Sequence, residues 1–104
     1  MKSHSNKKSK AERARNREII DQYHKKTTED ALQPLYEHFI EWKNGNLPYY
    51  KLTEHIHEFH KLNQKIWSRF NHFSSNDDIF VFQAKKELGL LTEEEKEEFK
   101  HWLD

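Results

Sequence analysis

The chain has 104 residues, 34% hydrophobic and 35% charged, with 7 Phe, 4 Tyr and 3 Trp but only 2 Gly, 2 Pro and no Cys. That length fits one domain; the scarcity of Gly and Pro excludes a turn-rich β fold, and the lack of Cys excludes disulfides, thiolate catalysis and Cys-ligated zinc. The net charge of zero is split: residues 1–26 hold 9 Lys/Arg against 3 Asp/Glu and residues 27–104 hold 9 against 15, so a +6 head joins a −6 body.

Met1 to Lys10 has no apolar residue after Met1, cannot bury anything, and reads as disordered. Residues 1–17 are expected to form a basic, mostly disordered arm, and residues 18–104 a single helical domain. Ala11 to Lys26 is helix-prone, but its large apolar residues are Ile19, Ile20 and Tyr23 alone. With one turn of apolar face, that helix taken in isolation is expected to fray before about residue 15. Leu32, Leu35, Tyr36, Phe39, Ile40 and Trp42 form the next helical stripe. Pro34 interrupts it, so the spacing predicts a kink or a new helix start there. Asn44-Gly45-Asn46 ends this element, with Gly45 as a left-handed cap, and Pro48 suits the entrance to the next.

Leu52 to Phe73 is the organising stretch. Leu52, Ile56, Phe59, Asn63, Ile66 and Phe70 recur at spacings of four and three, a near-heptad seam with one polar member. This predicts a central helix of about six turns. Ser74, Ser75 and Asn76 break it and are expected to cap a short helix over Ile79–Leu88, which Gly89 closes. Thr92 and Glu95 make a capping box for a last helix in which Phe99, Trp102 and Leu103 face inward. The expected fold is all-α: four to five helices, one long central helix, and a dimeric helical bundle. The dimer follows from a core too thin for a monomer and a seam with rich flanks. The expected interface is Ile56, Phe59, Asn63, Ile66, Trp67 and Phe70, with the seam Asn63 setting register between paired helices.

The chemistry-bearing patterns are weaker. His55, His57 and His60 point in different directions on a helix, and the Glu54–His57 and Glu98–His101 pairs lack the inward-facing partners of a di-metal bundle. Neither a metal nor a cofactor is expected. No nucleophile with an adjacent base and no glycine-rich phosphate loop is present, so no catalytic residue is expected. Lys7, Lys8, Lys10, Arg13, Arg15 and Arg17 could follow a nucleic-acid backbone, with no aromatic among them to stack bases. No apolar run reaches the length of a membrane span, and the basic start lacks a signal peptide's apolar stretch. A cytoplasmic location and no membrane partner are therefore expected.

Ile56-His57-Glu58-Phe59, followed by Ile79-Phe80-Val81-Phe82 and then Gly89-Leu90, resembles the fluorescence recovery protein family. The similarity needs no gap between His57 and Leu90. Upstream, Leu35-Tyr36, Trp42-Lys43 and Gly45 look like the small bacterial relatives rather than the cyanobacterial members. The resemblance implies an all-helical protein, dimeric through a long helix, that acts by binding a protein. In cyanobacteria the partner is the photoactivated orange carotenoid protein. By resemblance, His57, Glu58 and Phe80 would meet the partner. Glu54 and Gln64 stand where the cyanobacterial members carry Trp and Arg. The resemblance therefore implies the helical dimer rather than carotenoid-protein regulation. Together these readings describe a non-enzymatic interaction protein that pairs with itself and with an unknown protein partner. The alternative is a nucleic-acid-associated protein using the basic arm.

Overall fold

A computed structural model describes residues 9–73, 77–98 and 100. Every regular element among them is a helix: α1 (Lys10–Lys43), α2 (Tyr49–His72), α3 (Asp78–Leu88) and α4 (Glu93–Glu98). The fold is all-α, with α1 rather than the central α2 as its longest helix. Two compact units divide the chain, one made of Met1–Tyr23 with Ser74–Asp104 and the other of His24–Phe73. The first part of α1 belongs to one unit and the remainder to the other, a division that the continuous helix-prone sequence did not announce.

The start of α1 differs from the disordered arm expected over residues 1–17. Ser9 Oγ accepts from the Glu12 N–H, and the Ser9 N–H donates to Glu12 Oε1, both at 3.0 Å. This reciprocal box satisfies donors that an open helix end leaves unpaired, so helix replaces arm from Lys10 onward. Lys7 and Lys8 lie outside the described residues. The helix also passes through Pro34 without ending. Proline removes one backbone N–H from the ladder there, a local loss that the turns on either side tolerate.

In the first unit, Ile19, Ile20 and Tyr23 of α1 and Phe80, Val81, Phe82 and Ala84 of α3 are buried. The Tyr23 and Phe80 rings sit 5.9 Å apart. The expected Ser74–Asn76 cap gives way to Asp77, whose carboxylate accepts from the Phe80 N–H at 3.1 Å. Gly89 ends α3 at φ +72°, with its N–H directed to the Lys85 and Lys86 carbonyls. The Thr92–Glu95 box then starts α4: Thr92 N–H donates to Glu95 Oε1 at 3.0 Å, and Glu95 N–H to Thr92 Oγ1 at 3.1 Å. Lys85 Nζ reaches Glu95 Oε2 at 2.7 Å, with both side chains largely shielded. Burial opposes the charged carboxylate, but the Lys85 hydrogen bond and charge and the Thr92 donors outweigh it, and Glu95 is held below the ordinary glutamate value. The expected inward side chains Phe99, Trp102 and Leu103 fall outside the described ones.

The second unit is an antiparallel helical hairpin. The Asn44–Leu47 turn is closed by Asn44 N–H to Ile40 carbonyl and Asn46 N–H to Glu41 carbonyl bonds, with Gly45 at φ +82°. Antiparallel register follows from the ring pairs. His38 stacks on His55 at 3.6 Å and 7°, and at the far end His24 meets Trp67 at 4.4 Å and Phe70 at 4.8 Å.

Candidate functional site

The hairpin of His24–Phe73 carries most of the surface that composition alone does not explain. Its buried apolar side chains are Leu52 and Ile66. Eleven large apolar side chains in the same stretch are exposed, among them Tyr36, Trp42, Tyr49 and Trp67. Soluble chains scatter exposed apolar residues singly, whereas contiguous ones mark a contact surface.

The two helices meet along complementary stripes. On α1 the stripe is His24, Thr28, Ala31, Leu35 and His38, recurring at four and three. Sequence reasoning missed it because three of its five members are polar, yet the spacing itself was the available signal. On α2 the expected seam is divided. Leu52 and Ile66 are buried, Phe59, Asn63 and Phe70 are half-buried, and Ile56 and Trp67 are 39% and 52% exposed.

A polar layer crosses the hairpin near its end. His24 lies against Trp67, so one turn along α1 and one turn back along α2 bring Thr28 and Asn63 to the same level. His24 Nε2, Thr28 Oγ1 and Asn63 Oδ1 are buried and have no hydrogen-bond partner among the described residues. At the other end, His38 Nδ1 is 2.9 Å from Glu41 Oε1. Between these ends lies a groove of about 210 Å³ walled by Pro34, Leu35, His38, His55, Phe59 and Leu62, with Glu58 at its side.

Charge on α2 is confined to one sector. Lys51, Glu54, Glu58, Lys61, Lys65 and Arg69 are its only Asp, Glu, Lys or Arg residues. At roughly 100° per residue they fall within about 80° of arc. A helix packed against a single neighbour would be expected to carry charge around most of its remaining circumference. Here the neutral arc extends well beyond the line of contact with α1.

The other candidate residues are dispersed. His57 and Glu58 are exposed on α2, where Glu58 pairs loosely with Lys61 at 3.8 Å. Phe80 is 3% exposed and forms part of the packing around Tyr23, so its ring supports the first unit rather than presenting a surface. Lys10, Arg13 and Arg17 share one stripe of α1, and Arg15 points to another side of the helix. Among the described residues, no group of three or more His, Cys, Asp or Glu side chains converges as a metal site would require. His101 of the Glu98–His101 pair lies outside them. No described helix is long and apolar enough to cross a membrane. Compared with known proteins, the chain matches no family model, no curated protein and no solved structure.

Proposed function

We propose that this chain is a non-enzymatic interaction protein of the cytoplasm that works as a helical homodimer and regulates a protein partner. The supporting observation is the imbalance in the His24–Phe73 hairpin, which buries Leu52 and Ile66 and leaves eleven large apolar side chains exposed. Such a ratio suits a half-assembled core, because two-layer packing is the ordinary way to cover an apolar helix face. The similarity of the His57–Leu90 stretch to the fluorescence recovery protein family points the same way. His57 and Glu58, exposed on α2, are the residues proposed for the partner contact.

Light scattering across a hundredfold range of concentration tests the assembly. The expected mass is twice the 12.8 kDa of one chain. A mass that remains at one chain throughout would overturn the homodimer. Co-purification from native cells addresses the partner: a protein retained after nuclease treatment, and lost in a His57→Ala/Glu58→Ala variant, is the expected outcome.

The shared stripe of Lys10, Arg13 and Arg17 favours one second reading, sequence-blind contact with nucleic acid. That reading predicts recovery that nuclease abolishes and retention of RNA or DNA that falls steeply with salt. Deleting residues 1–17 without changing low-salt retention would dispose of it.

A further inference from the structure

We propose that the second copy docks on one particular side of the hairpin, formed jointly by α1 and α2, so that two hairpins stack into a four-helix assembly. This rests on the homodimer reading above and specifies its surface. The argument begins with handedness. Both helices are right-handed and they run antiparallel, as the His38–His55 and His24–Trp67 pairs require. Rotation away from their mutual contact, taken in the winding sense of each helix, therefore brings both flanks to the same side of the pair.

On that side α2 presents Tyr49, Ile56 and Trp67, displaced by about 60–80° from its contact line. On α1, Phe39, Leu32 and Tyr36 are displaced by about 60–120°. These two sets, far apart in sequence, thus form one surface. Between Ala31 and Trp42 of α1, and along all of α2, this side contains no Asp, Glu, Lys or Arg; Lys25 and Glu29 flank it at the Trp67 end and Lys43 at the Tyr49 end. The opposite side is different: Glu41 and Glu58 border it, with Lys51 and Arg69 further along.

A second copy is the occupant that this surface fits. An isologous contact places the same patch on both partners, and a patch whose middle carries no charge meets itself there without like-charge repulsion. The area is sufficient. Tyr36, Phe39, Tyr49 and Trp67 are 60%, 40%, 72% and 52% exposed, and Leu32 and Ile56 are 41% and 39% exposed. At ~200 Å² for each aromatic and somewhat less for each aliphatic side chain, the patch offers on the order of 600 Å². Stable interfaces take ~600–1,000 Å² from each partner. Stacked antiparallel hairpins are also a standard way to close a four-helix core.

The test compares the two sides in the full chain. Phe39→Glu with Ile56→Glu places charge on the proposed side, and Leu62→Glu places it on the other. The expected result is a wild-type dimer, a monomeric double variant that retains its helical circular dichroism, and a dimeric Leu62→Glu chain. If the double variant remains dimeric, the homodimer stands and the surface assignment falls. If the wild type is monomeric at every concentration, both fall. Should the double variant unfold, labelling decides. The chain has no Cys, so Ile56→Cys and Leu62→Cys each give one thiol at a similarly exposed site. Maleimide should react with Ile56→Cys at least tenfold more slowly than with Leu62→Cys under dimer conditions. Equal rates would overturn the assignment.

Discussion

At Asn63 an amide sits in a line of apolar side chains, and its buried Oδ1 has no hydrogen-bond partner among the described residues. A buried acceptor left unpaired costs about 1–3 kcal/mol. Asn63→Leu is therefore expected to raise the unfolding free energy by about 1–2 kcal/mol, which urea denaturation would read directly. An unchanged or lower stability would mean that the amide is satisfied. Glu95 supplies a second expectation at this scale. Its folded carboxyl is held below the ordinary value of 4.5. A carboxylate depressed in the folded state stabilises the fold above the unfolded value and loses that contribution as pH falls through the folded one. Thermal melts from pH 6 down through the acidic range should show a loss beginning near 4.5 that Glu95→Gln reduces. At this scale the sequence was informative where pairing is local. The Thr92–Glu95 box was legible from its spacing, whereas the Lys85–Glu95 bridge joins residues ten apart and needed the turn at Gly89 to bring them together.

Helices were legible where apolar periodicity is strong. The stretch from Leu52 to Phe73 was expected as one helix and forms α2 over Tyr49–His72. The course of α1 was not legible, for two separate reasons. Its start depends on the Ser9–Glu12 box rather than on apolar residues. Its passage through Pro34 depends on the cumulative ladder of the surrounding turns, which local propensity does not reveal. Proline in a helix interior costs up to about 3 kcal/mol relative to alanine. Pro34→Ala is accordingly expected to stabilise the chain and to slow amide exchange around Asp30, whose carbonyl lacks its usual donor. A destabilised variant would show that the helix is shaped around the ring.

For the molecule as a whole, the all-α class followed from composition and period, but the side proposed for the second copy did not. Handedness and register combine to put Phe39 and Ile56 on one side, and neither property can be read from either helix alone. The stripe through His24, Thr28 and His38 shows why. A helix–helix contact is recognised from sequence by its apolar members, and this one is largely polar. The short turn over Asn44–Leu47 has a kinetic consequence. Closing so small a loop takes on the order of 100 ns or less, and helical units rich in local contacts fold in microseconds to milliseconds. The hairpin should therefore be complete before two chains can meet. In stopped-flow refolding, a fast phase should have the same rate at every protein concentration, and a slower phase should accelerate in proportion to it. A single concentration-dependent phase would instead mean that neither hairpin persists until its counterpart arrives.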